Sequence, residues 1–178
     1  MSALPELTIA KVIEACGKID GRVKLQKIVY LLSAMGYQLP YRDFHVRHYG
    51  PFSPRLAAAL DFLVSVGVVT EHPVPVGEES QRYDYETSPR YSDSLAEYVH
   101  VPVPEGRPAL EAVGAQLARC DRPTLEITAT MHYLHDQEGR SDDALTRELA
   151  ALKGHLPDFE AKAREATQLL QELGLSIN

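Results

Sequence analysis

The stretch GRVKLQKIVYLL, Gly21 to Leu32, most limits what this chain can fold into, because Leu25, Ile28, Val29 and Leu32 recur at the three- and four-residue spacing of one helical face. Such a stripe has to be buried. Gly36, after Met35, closes the helix as a left-handed cap. Lys24 and Lys27, three apart, are neighbours on what the spacing predicts to be the wetter face. Upstream, Ile9, Val12, Ile13 and Cys16 form the stripe of an earlier helix, which Gly17 or Gly21 can end.

After Pro40, Phe44, Val46 and His48 alternate with Asp43, His45, Arg47 and Tyr49, which predicts a short half-buried strand. Tyr49, Gly50, Pro51, Phe52 and Ser53 then form a structural motif: Gly50 allows the positive φ of a sharp turn, and Tyr49 and Phe52 are expected to flank it in the core. Ser53 followed by Pro54 starts a helix, whose N-terminus is a candidate anion seat. Leu56, Leu60 and Leu63 make its stripe, Phe62 and Val66 are expected to widen it, and Gly67 stops it. Two β-prone arms follow around Gly77 to Ser80, with Pro73 and Pro75 confining the first arm to an edge.

Helix, helix, strand, helix, hairpin is the order of a winged-helix-like unit, here residues 1–88. Residues 89–105, with Pro89, Pro102 and Pro104, predict a connector with one short helical turn around Ser94 to Tyr98. Residues 106–178 predict a helical segment, with helices over 107–120, 123–137 and 143–153 and a last one opening at Pro157 and Asp158. Phe159, Ala163, Ala166, Leu169, Leu170 and Leu173 form the apolar face of that last helix, which is expected to cap the core or mediate self-association. The expected fold class is therefore mainly α with a small β component.

With 178 residues, 44% of them hydrophobic, the chain can bury one sizeable core. Its net charge is −7, yet the first 60 residues hold eight Lys and Arg against four Asp and Glu. That asymmetry suggests a basic face on an acidic body, and a homodimer would double it. Cys16 and Cys120 fit no zinc or disulfide pattern and read as reduced, partly buried thiols. With no leader pattern and no membrane-length apolar run, a cytoplasmic protein is expected.

GRVKLQKIVYLL together with HYGPFSPRLAAALDFLVSVGVV resembles the YwgA-like proteins of bacteria and phages. More distantly it is similar to the SocA/Panacea antitoxin domains, which share the Lys-Leu-Gln-Lys helix and the Gly-Pro after it. The likeness covers Gly21 to Val69, with a weaker echo in LEITATMHYLHD. The YwgA-like resemblance implies little about function. The Panacea resemblance implies toxin neutralisation by protein contact, sometimes in phage defence.

Arg22, Lys24, Gln26, Lys27, Arg47 and Arg55 are the candidate contacts to a partner protein or nucleic acid, the lysines reaching phosphates and the amide a base edge. His132 and His135 could present two metal ligands on one helical face but lack a convergent third. No hydrolase, phosphate-loop or zinc-protease motif is present, so neither catalysis nor a cofactor or metal is expected. Two readings remain: a regulator that binds a protein partner such as a toxin, and a winged-helix transcriptional regulator that binds duplex DNA. The outward set of the third helix, Arg55, Ala58, Asp61 and Ser65, reads bases poorly, and Glu78 and Glu79 in the wing repel phosphates. Protein binding is the leading expectation.

Overall fold

Ile9, Val12 and Ile13 are fully buried in α1 (Leu7–Cys16), and Leu25, Ile28, Val29 and Leu32 in α2 (Arg22–Ala34), as the two stripes require. The computed structural model describes residues 4–177, which are mainly α-helical with a small β component. Between the helices lies β1 (Ile19–Asp20), too short for any alternation to reveal; it exists because Ile19 pairs with Tyr85 of a later strand. Gly36 adopts the expected positive φ after α2.

The strand expected through Tyr49 is instead a tight hairpin of β2 (His45–Arg47) and β3 (Gly50–Phe52), with Val46 opposite Pro51. The chain reverses at His48 and Tyr49, which leaves Tyr49 53% exposed rather than in the core, and Phe52 partly buried. Ser53 caps α3 (Pro54–Ser65), its Oγ accepting the Leu56 N–H at 3.0 Å. Leu56, Leu60 and Leu63 are buried, but Phe62 and Val66 do not widen that face. Phe62 lies two residues past Leu60, a turn of about 200° around the helix, and Val66 is its C-cap; both are exposed.

Strands β4 (Val69–Pro75) and β5 (Gln81–Thr87) form the expected hairpin, closed by the Val76 N–H donating to the Ser80 carbonyl at 2.8 Å. The antiparallel sheet runs β1-β5-β4, so the proline-bearing β4 is at the edge. A single 3-10 turn at Pro89–Tyr91 leads into α4 (Ser92–Tyr98).

Helix α5 (Leu110–Arg119) begins three residues later than expected because Arg107 belongs to a turn and serves as a tie: its guanidinium donates to the carbonyls of Met35 (3.1 Å) and Leu173 (2.6 Å). Helices α6 (Arg122–Asp136), α7 (Asp142–Lys153) and α8 (Phe159–Glu172) complete the chain. Helix α5 packs on α1, α6 on α2, and α8 on α6, all within one apolar cluster. The last helix therefore covers the core of its own chain. Residues 124–132 of α6 are all buried, which makes α6 the central element.

Candidate interaction cleft

The Lys-Leu-Gln-Lys helix does not present its polar side chains to water. Lys24, Gln26 and Lys27 are only 3%, 5% and 1% exposed, which corrects the expectation of a wet face and removes these three from any surface that touches phosphates. Helix α6 and the 48–53 loop cover the side of α2 opposite its apolar stripe, so α2 is buried nearly all round, and its long side chains satisfy backbone groups that would otherwise be buried without partners. Gln26 makes a two-way bond with Ser53, accepting its N–H (2.8 Å) and donating to its carbonyl (3.0 Å). Lys27 Nζ donates to the Pro51 carbonyl at 2.7 Å, and Lys153 Nζ, from α7, to the His48 carbonyl at 2.9 Å. Lys24 Nζ turns the other way, to Asp20 Oδ1 (2.7 Å) and the Ala118 carbonyl near the end of α5 (2.6 Å).

The loop's shape explains its residues. Gly50 has φ +87°, and a Cβ there would stand 2.3 Å from Thr130 Oγ1, so only glycine lets the loop approach α6 this closely. Underneath lies a buried charge cluster that the sequence did not reveal. Glu126 on α6 accepts from Arg122 Nε at 2.6 Å and from Lys153 Nζ at 3.2 Å, and its field also reaches Lys27. One carboxylate thus faces three cationic side chains. Burial pushes the Lys27 ammonium down to about 7; the attraction of Glu126 opposes the shift, and repulsion by Lys153 and Arg122 adds to it. Lys153 is shifted down for the same leading reason, burial.

Where α2 and α3 diverge in front of this loop they leave a cleft of about 390 Å³. Val23, Leu25, Leu56, Ala57 and Leu60 make its apolar walls, Lys27 contributes to its lining, and Arg47, His48 and Tyr49 stand at the loop side with Arg22 opposite. Among the described residues no carboxylate lines it. Arg47 lies over the Phe52 ring, 4.6 Å from its centroid, and Arg122 over Tyr49 at 4.8 Å. The arrangement is that of an apolar slot with a cationic rim, suited to a group with an apolar body and a negative charge beside it.

The remaining candidates part company. Arg22 is half exposed but already engaged by Asp61 (2.6 Å), Glu71 (3.2 Å) and the Tyr85 hydroxyl (2.7 Å). Arg47 and Arg55 are exposed and form no ion pair among the described residues. The anion seat at the start of α3 is filled from within: Asp43 accepts from Ser53 Oγ (2.6 Å) and from the Arg55 N–H (3.3 Å). Burial alone would raise the Asp43 carboxyl, but these bonds outweigh it and hold it below its usual range. His132 and His135 do not converge: His132 Nδ1 shares a hydrogen bond with the Tyr30 hydroxyl at 2.8 Å, and His135 Nδ1 lies 3.1 Å from the Arg140 carbonyl. Among the described residues no group of three or more His, Cys, Asp and Glu could hold a metal. Cys16 and Cys120 are free and partly buried, and burial pushes the Cys16 thiol up to about 12. No helix among the described residues is long and apolar enough to cross a membrane.

No protein-family model matches the chain. It is 26% identical over 165 residues to the uncharacterized protein YwgA of Bacillus subtilis (strain 168), a match that spans 93% of each protein. The likeness therefore extends well beyond the two motifs, through the C-terminal helices that pack against them. It supports a YwgA-like chain and is silent on antitoxin domains.

Proposed function

We propose that this is a non-enzymatic, cytoplasmic regulatory or interaction protein that acts by binding a protein partner, in the manner of an antitoxin, through the cleft between α2, α3 and the 48–53 loop. The observation that carries this reading is the composition of the cleft: apolar walls, arginines and a histidine at the rim, and no carboxylate among the described residues. The complementary occupant is an apolar side chain on an acidic segment of the partner, with its carboxylate meeting Arg47. The buried lysines favour this reading over phosphate binding, since an ammonium held by Pro51 inside the fold cannot reach a duplex.

DNA binding is the second reading, favoured by the succession α1, β1, α2, α3, β4, β5 with its three-stranded antiparallel sheet, which follows the order of a winged-helix-like unit once the β2–β3 hairpin inserted between α2 and α3 is set aside. Its weakness is the exposed face of α3, whose one cation is Arg55 and whose Asp61 pairs with Arg22, and the β4–β5 turn, where Glu78 and Glu79 are exposed.

The two readings separate with Ala57→Arg, which fills the cleft, and Arg47→Glu, which reverses its rim. Both positions lie outside the core, so the thermal midpoint should hold. Partner capture from native cells should fall by about tenfold or more in each variant, with no salt-dependent duplex binding by the unaltered protein. Duplex binding that weakens with salt and disappears in Arg47→Glu with Arg55→Glu would replace the first reading by the second.

A further inference from the structure

The turn of the β2–β3 hairpin borders a second hollow besides the cleft. On one side Arg47, His48 and Tyr49 line the cleft between α2 and α3; on the other, with Val46, they line a wide hollow of about 890 Å³ whose far wall is the end of α7, Ala151 and Leu152, with His155 just beyond it. The side chains of this second hollow can be touched from outside: His48, Tyr49, Ala151 and His155 are exposed, and Val46 and Leu152 are partly buried. In the cleft the reachable apolar groups are Val23, Phe52 and Ala57, while Leu25, Leu56 and Leu60 form a closed floor behind them.

The two hollows are held in a fixed relation. Lys153, in the last turn of α7, donates to the His48 carbonyl at 2.9 Å, and Lys27 of α2 donates to the Pro51 carbonyl at 2.7 Å, so a buried lysine ties the hairpin to one wall of each hollow. A surface fixed in advance loses little freedom when a partner settles on it. Its charge is one-sided. Asp and Glu make up 25 of the chain's 178 residues, yet among the described residues neither hollow has one in its lining, while Arg47, His48 and His155 stand along them. The carboxylates one turn away from Ala57 and Leu152, those of Asp61 on α3 and Glu148 on α7, are already paired, with Arg22 at 2.6 Å and Arg140 at 2.8 Å.

We infer that one acidic segment of the partner crosses the β2–β3 turn, with an apolar side chain in each hollow and its carboxylates meeting Arg47, His48 and His155. This rests on the partner-binding reading and extends the surface from the cleft to the end of α7. Apolar ground on both sides of a cationic turn matches a segment whose acidic residues are flanked by apolar ones, the first giving steering and register and the second the buried contact. A duplex would meet the cations through its phosphates and gain nothing from the apolar ground beside them.

Photo-crosslinking of the whole protein in its native cells tests the inference, with p-benzoylphenylalanine placed singly at Ala57, in the cleft, and at Ala151, in the second hollow. Both positions should crosslink the same protein, and mass spectrometry should place both attachments within one continuous acidic segment of it. A synthetic peptide of that segment should bind the isolated chain saturably, and Ala151→Glu and His155→Glu, at exposed positions where the thermal midpoint should hold, should each weaken it by about tenfold or more. Crosslinks from Ala57 alone confine the partner to the cleft and overturn this extension, whereas crosslinks from neither position overturn the partner reading with it. Attachment to two different proteins, attachment to a segment rich in lysine and arginine, or peptide binding that survives both α7 substitutions also overturns the inference.

Discussion

At the residue scale the chain's most distinctive feature is that its Lys-Leu-Gln-Lys run works inward. Three side chains, Gln26, Lys27 and Lys153, each hold a carbonyl of the loop that carries Tyr49 to Ser53. That pairing gives the two sequence motifs a shared reason to occur together: one supplies long donors and the other a loop that turns its carbonyls to them. Glu126 is the counter-charge of the arrangement, and its removal leaves Lys153 and Lys27 buried with no anion nearby. Glu126→Ala is expected to destabilise the fold by about 3–5 kcal/mol in chemical denaturation; a loss under ~1 kcal/mol would mean the cluster is effectively solvated. Neither Glu126 nor Lys153 was legible in the sequence. Each is a charged residue inside an otherwise ordinary helical pattern, and only the tertiary contact of α6 with α2 and α7 makes them partners.

At the element scale the stripes were legible and their surroundings were not. Leu25, Ile28, Val29 and Leu32 locate α2 from spacing alone, and Ser53-Pro54 locates the start of α3 to the residue. What spacing cannot show is a second burying neighbour: a helix covered on one side carries a polar face in water, whereas α2 is covered on both, so its lysines looked wet and are dry. The hairpin of β2 and β3 was hidden for a related reason, since the alternation that suggested one strand through Tyr49 continues unbroken across the turn. Helix α8 closes the molecule over α6 with Ala166, Leu169, Leu170 and Leu173 buried, and Arg107 ties its end to that of α2. Truncation after Gly154 should therefore cost roughly 5 kcal/mol or more, at about 1.5–3 kcal/mol for each buried leucine, and expose an apolar face that aggregates. A truncated chain with an unchanged denaturation midpoint and an unchanged monomeric mass would remove α8 from the core.

At the scale of the whole molecule the excess of positive charge in the first 60 residues is not spread over one binding face. Lys24 and Lys27 are interior, and Arg22 is neutralised by Asp61 and Glu71, which leaves Arg47 and Arg55 as the exposed unpaired cations among the six proposed contacts. The exposed positive charge is therefore reduced to Arg47 at the apolar slot and Arg55 outside it, rather than a platform for a duplex, which favours the proposed protein partner. Lys27 is 1% exposed, inside the fold. Its ammonium is held near 7 in the folded chain and returns to 10.5 when unfolded, so between these values the unfolded state binds more protons and this group makes stability rise with pH. Lys27→Met should flatten that rise. The direct measurement is an NMR titration of the Lys27 side chain in the folded protein: the account predicts a midpoint close to 7, and a midpoint above about 10, that of an exposed lysine, would contradict it.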